Sequence, residues 1–145
     1  MKKLIGLGIA SIMCVSLVAC GGDTSAGTPG AAAEPMIPDL TGEWKQVNSN
    51  SEDSWQSATI DESAITVYWV SDNGDTKSLY WAGTYTAPTN EDEPYSWDSE
   101  NDTEKTSTAL LASWDNIKTF TYEDGQISYE ISALGTTTTV KLEKQ

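Results

Sequence analysis

Ile117-Lys118-Thr119-Phe120-Thr121-Tyr122-Glu123-Asp124-Gly125-Gln126-Ile127-Ser128-Tyr129-Glu130-Ile131-Ser132 alternates apolar and polar residues on both sides of Asp124-Gly125. Alternation at period two puts successive side chains on opposite faces of a strand. Asp-Gly suits a two-residue hairpin turn, because both central residues must take φ > 0. A turn there sets Phe120 opposite Tyr129, Tyr122 opposite Ile127 and Lys118 opposite Ile131. One face then carries Phe120, Tyr122, Ile127, Tyr129 and Ile131, and the other carries Thr119, Thr121, Ser128, Glu130 and Ser132. A sheet packed on one face and wet on the other is the antiparallel kind.

Upstream, Asn73-Gly74 turns a second hairpin, pairing Trp69 with Ser78, Tyr68 with Leu79 and Val67 with Tyr80. One face holds Ile65, Val67, Trp69, Tyr80 and Ala82; the other holds Tyr68, Val70, Leu79 and Trp81, with Tyr85 further along. Both faces are apolar. Either the hairpin is covered on both sides, or one face meets a ligand or partner. Further strands are expected at Thr41–Asn48, Ser54–Ile60, Pro94–Ser99 and Thr137–Glu143, while Thr106–Trp114 reads as a strand or a short helix. Consecutive hairpins without helical crossovers predict an all-β fold, a small antiparallel up-and-down meander of roughly seven to nine strands. Such a sheet closes into a barrel, stays half-open or splits into a sandwich, since free edges aggregate.

Composition narrows the chemistry. Asp and Glu number 22 against 8 basic residues, a net charge of −14, and there is no histidine. All the cations are lysines. Nucleic acid is excluded as a partner, because binding it requires clustered cations that displace phosphate counterions. Without histidine there is no Ser-His-Asp triad and no histidine-based zinc site. Only a carboxylate pair, a serine–lysine pair or a tyrosine remains for catalysis, so the chain is expected not to be an enzyme and to carry no cofactor.

The amino terminus gives an address. Lys2 and Lys3 precede Leu4 to Val18, a stretch apolar but for Gly6, Gly8, Ser11 and Ser16 and too short to span a bilayer. Leu17-Val18-Ala19-Cys20 follows, then Gly21-Gly22. This pattern resembles bacterial lipoprotein signal peptides and their lipobox. The resemblance implies cleavage before Cys20, a diacylglyceryl group on its thiol and an acylated amino terminus. At about 0.8 kcal/mol per buried methylene, two or more acyl chains anchor stably where one does not. The expected location is the cell membrane, lipid-anchored on the extracytoplasmic face. Loss of Lys2 and Lys3 with the leader deepens the charge of −14 by two. Cys14 leaves with the leader and Cys20 is consumed, so no thiol remains for a disulfide or metal. The expected organisation is a signal peptide over 1–19, a lipidated Gly/Ala/Pro-rich tether over 20–38 and one β-domain over 39–145.

That domain opens with Leu40-Thr41-Gly42-Glu43-Trp44. Gly-x-Trp on a first strand resembles the start of lipocalins and, more loosely, of avidin-like barrels. The resemblance implies a lipocalin-like barrel or half-open barrel with Trp44 plugging one end, covered by Lys141 or Lys144.

Two constellations stand out as sites. Residues 87–105 are acidic, and Asp98, Glu100, Asp102 and Glu104 place carboxylates at alternate positions, as calcium loops do. The fixed glycine and terminal glutamate of an EF-hand are missing, which makes a solvated loop the default over a metal site. Tyr95 and Trp97 lie within the same stretch and suggest a lid over the barrel mouth. The leading expectation is a non-enzymatic module holding a small apolar or neutral ligand against Tyr68, Trp81, Tyr85 and Trp97. The alternative is a surface interaction protein using residues 87–105 to bind a protein, glycan or calcium.

Overall fold

A computed structural model describes residues 36–145. The leader, Cys20 and most of the tether lie outside the described residues. Eight strands follow one another: β1 Gly42–Gln46, β2 Trp55–Ile60, β3 Ala64–Ser71, β4 Thr76–Thr84, β5 Tyr95–Glu100, β6 Ile117–Glu123, β7 Gln126–Ala133 and β8 Thr136–Lys144. All their pairings are antiparallel, in the spatial order β4-β3-β2-β1-β8-β7-β6-β5. This is an up-and-down meander in a nearly closed barrel, with β8 returning to β1. No helix among the described residues is long and apolar enough to cross a membrane, a statement that leaves strands aside.

Turns alternate between the two barrel ends. The chain arrives at one end through residues 36–41, and the β2–β3, β4–β5 and β6–β7 connections lie there too. The opposite end carries the β1–β2, β3–β4, β5–β6 and β7–β8 connections. The first end is plugged by Leu40 and Trp44, both buried, with the Trp44 Nε1–H donating to the Leu40 carbonyl at 2.9 Å. Lys144 pairs with Trp44 across the sheet and sends its ammonium to the Asp39 carbonyl at 2.7 Å.

The β6–β7 hairpin takes the expected register beside its turn, with Tyr122 opposite Ile127 and Thr121 opposite Ser128, but the expected pairs Phe120–Tyr129 and Lys118–Ile131 are not made. Asp124 and Gly125 both have positive φ, as the two-residue turn requires. Leu134-Gly135 makes a second such turn between β7 and β8. The β3–β4 hairpin keeps its expected register only from Ser71 to Tyr68. Beyond it a bulge at Tyr80 pairs Val67 with Trp81 instead. The extra residue turns Trp81 to the face of Ile65 and Val67, where it is fully buried, and Tyr80 is buried as well.

The remaining seam, between β4 and β5, is narrow. One bridge joins Gly83 to Asn101, and the Trp81 Nε1–H donates to Ser99 Oγ across the seam at 2.9 Å. Gly83 has no room for a side chain: a Cβ there would collide with the Glu100 carbonyl and the Ser99 hydroxyl. Part of the acidic stretch is therefore a barrel wall rather than a lid. Tyr95–Glu100 forms β5, and Trp97 points inward at 5% exposure. Thr106–Trp114 is neither a strand nor a helix; a single helical turn, Thr103–Thr106, ends where it begins.

The interior is aromatic and aliphatic. Among the described residues, every core residue lies between Leu40 and Leu142, and every strand pairing lies within Gly42–Lys144.

Candidate functional site

Pairing between β6 and β7 stops at Thr121 and Ser128 among the described residues. Yet β6 starts at Ile117, held by β5, and β7 runs on to Ala133, held by β8. The two strands therefore part toward the end opposite residues 36–41. A pocket of about 830 Å³ lies at this split, lined by residues from both strands and both of their faces. Its aromatic side is made by Trp69, Tyr80 and Tyr129, its walls include the hydroxyl residues Thr119, Thr121, Ser128, Ser132 and Thr139, and Leu111, Trp114 and Ile117 bring apolar surface.

Lys118 occupies the split. Its side chain is only 6% exposed, and its ammonium donates to Asp115 Oδ2 at 2.9 Å and to the Glu130 carbonyl at 3.2 Å. The same nitrogen lies 5.5 Å from the ring centroids of both Tyr80 and Trp81, within cation–π range. The Asp115 carboxyl is held below the usual carboxylate range, first by the Ser113 hydroxyl and then by Lys118. Lys118 and Asp115 thereby answer each other's charge, while the Glu130 carboxylate, also on the lining, has no ion pair among the described residues.

The Tyr80 bulge also positions the rim. The Tyr80 carbonyl accepts the Ser113 N–H at 2.8 Å, and Asn101 Nδ2 donates to the Asp115 carbonyl at 2.7 Å. These bonds fix the β5–β6 connection across the barrel end and set Trp114 at the mouth, 90% exposed. Leu110 is 94% exposed in the same connection.

A file of rings leads inward from the pocket. Trp69 meets Tyr80 at 5.6 Å, Tyr80 meets Tyr129 at 6.4 Å and Tyr129 meets Phe120 at 4.9 Å. Phe120 stacks on Trp97 at 5.3 Å, and Trp97 meets Tyr85 edge-on at 5.3 Å. Tyr129 donates its hydroxyl to Gln56 Oε1, both side chains being buried. Burial, with Tyr80 nearby, pushes the Tyr129 phenol well above its ordinary range; burial likewise pushes Tyr85 up to about 12.

The expected ligand residues do not meet at one place. Trp81, Tyr85 and Trp97 belong to the core cluster, Tyr68 does not, and none of the four lines the pocket. The expected carboxylate series is broken by the end of β5. Asp98 and Glu100 lie on the strand, where Asp98 accepts from Thr119 Oγ1 at 2.6 Å. Asp102 caps the helical turn that contains Glu104 and pairs with Lys105 at 2.9 Å. Among the described residues, no three acidic side chains gather where they could hold a metal ion. Cys20 lies outside the described residues.

Sequence reasoning missed Trp69, Tyr80, Tyr129 and Lys118 as pocket residues. The first three read as core, and they are core on their other sides. Lys118 did carry a signal, since its parity places it with Phe120 on the inward face. Compared with protein-family models, curated proteins and solved structures, the chain matches none.

Proposed function

We propose that this chain is a lipid-anchored, extracytoplasmic and non-enzymatic binding module that holds a small neutral ligand in the pocket between β6 and β7. A barrel-like β-fold is compatible with a ligand-binding module. The observation that carries the reading is the pocket of about 830 Å³, with Trp69, Tyr80 and Tyr129 on its apolar side and its buried cation already paired with Asp115. Its volume lies in the range of small-molecule sites. A neutral ligand is favoured because Lys118 is already paired with Asp115, and a chain of net charge −14 repels anions. Anchoring rests on Leu17-Val18-Ala19-Cys20 alone.

The test is a titration of the full chain with the neutral probe N-phenyl-1-naphthylamine, followed by probe emission. Saturable binding lost in Trp69→Ala supports the reading, provided the variant keeps its far-ultraviolet circular dichroism. Equal binding by the variant places the ligand elsewhere. Native mass spectrometry of chain purified from its host then identifies what is retained. Membrane attachment is tested separately by Cys20→Ala, which is expected to accumulate as uncleaved, unlipidated precursor.

A further inference from the structure

We infer that the ligand of this pocket is an extended, uncharged peptide whose backbone pairs with the free edges of β6 and β7. The inference rests on the reading of the split as a binding site and names the chemistry it selects. Residues 117–120 of β6 and 129–133 of β7 face each other without pairing among the described residues, although each strand is fully paired on its other side. Antiparallel strands expose alternate N–H and C=O groups along such an edge. Free edges are ordinarily covered, charged or shortened. Here two of them face each other across a pocket.

One of these edge groups shows what the split wants. The Glu130 carbonyl, which has no β6 amide to accept from, takes a hydrogen bond from the Lys118 ammonium at 3.2 Å. A side chain thus does in one place what a ladder partner would do along the whole stretch. A compact apolar ligand could fill volume, but it would leave the other edge groups unmatched. A peptide offers an amide at each step and so meets both edges, the mode by which extended segments add to open sheets. The unpaired stretch is four to five residues long, which corresponds to about 13–17 Å of strand.

Side-chain chemistry follows from the surroundings. Alternate residues of an inserted strand would point inward to Trp69 and Tyr80 or outward past Trp114 and Ile117. Glu130 and the overall charge of −14 disfavour an acidic peptide, and the buried Lys118 ammonium disfavours a basic side chain on the inward-pointing positions.

The experiment uses the full chain with a panel of end-blocked, uncharged pentapeptides that alternate Val with Thr or Leu with Ser. Matched peptides carry N-methyl groups at alternate amides. Amide hydrogen exchange is followed residue by residue. The expected result is slowed exchange at 117–120 and 129–133 for at least one peptide, with affinity about tenfold or more weaker for its N-methylated partner. Equal binding of the N-methylated form overturns the inference, as does protection confined to the β4–β5 seam. If no peptide binds but N-phenyl-1-naphthylamine does, the peptide class is wrong and the binding module stands. If neither binds, both fall.

Discussion

Lys118 reaches across the gap between β6 and β7 and donates to the Glu130 carbonyl, 3.2 Å away on a strand it does not pair with. Its stem is buried, but its counter-ion is not: the Asp115 side chain is 59% exposed. Removing the cation therefore strands no buried anion. Lys118→Met is expected to change stability by no more than about 1 kcal/mol, because lost ion pairing and relieved desolvation oppose each other. Lys118→Glu puts an unpaired anion in the same place and is expected to cost about 3–5 kcal/mol. Urea unfolding midpoints of the two variants distinguish these outcomes.

Gly83 closes the barrel at the β4–β5 seam. Its backbone does not lie in the left-handed region, so any cost of a side chain there is steric. Gly83→Ala is expected to lose about 1–3 kcal/mol or more as Ser99 and the Glu100 carbonyl are pushed away. Gly125→Ala is the contrast: open space surrounds it, but its φ of +78° disfavours any side chain, at about 1–2 kcal/mol. Hydrogen exchange across Gly83 and Asn101 should speed up only in the first variant.

Trp97 and Trp114 flank the same connection with opposite roles. Trp97 is 5% exposed and stacks on Phe120, whereas Trp114 is 90% exposed. Trp97→Ala is expected to cost about 3–5 kcal/mol. Trp114→Ala should stay within about 0.5 kcal/mol, the norm for surface positions. Thermal melts of both variants suffice; equal losses would contradict the inward placement of β5.

Alkaline titration probes the buried phenol. Tyr129 is pushed well above its ordinary value of 10, so above that pH the unfolded chain releases its proton while the folded chain retains it. The stabilisation is complete below pH 10 and is lost as pH rises toward the folded value, by up to about 1.4 kcal/mol per pH unit for this group. Tyr129→Phe is expected to start about 1–3 kcal/mol lower, since Gln56 Oε1 loses its donor, and to fall less steeply above pH 10. Denaturant melts between neutral pH and pH 11 give both quantities.

The turns made the meander readable. Asp124-Gly125 set one register as far as Thr121 and Ser128, and Asn73-Gly74 set another as far as Tyr68 and Leu79. The bulge at Tyr80 left no mark, because Leu79-Tyr80-Trp81-Ala82 is apolar throughout and one extra residue breaks no pattern. That single shift moved Trp81 from an expected ligand face into the core. The acidic stretch misled for a related reason. Its charges sit on the outer side of β5 while Trp97 and Ser99 turn inward, so a deletion from Glu91 to Asp102 would remove a barrel strand rather than a lid. The pocket arises where two strands diverge, a tertiary property that neither strand's sequence declares.

The six rings that run from Trp69 through Tyr80, Tyr129, Phe120 and Trp97 to Tyr85 stand within 6.4 Å of their neighbours, one after another. At such spacings, light absorbed by a tyrosine passes readily to a nearby indole before it is emitted. Excitation gathered by Tyr80 and Tyr129 therefore feeds Trp69, and that gathered by Tyr85 feeds Trp97. A molecule that quenches Trp69 at the pocket also removes the emission fed to it by Tyr80 and Tyr129. Its arrival should be visible in the spectrum without any added label.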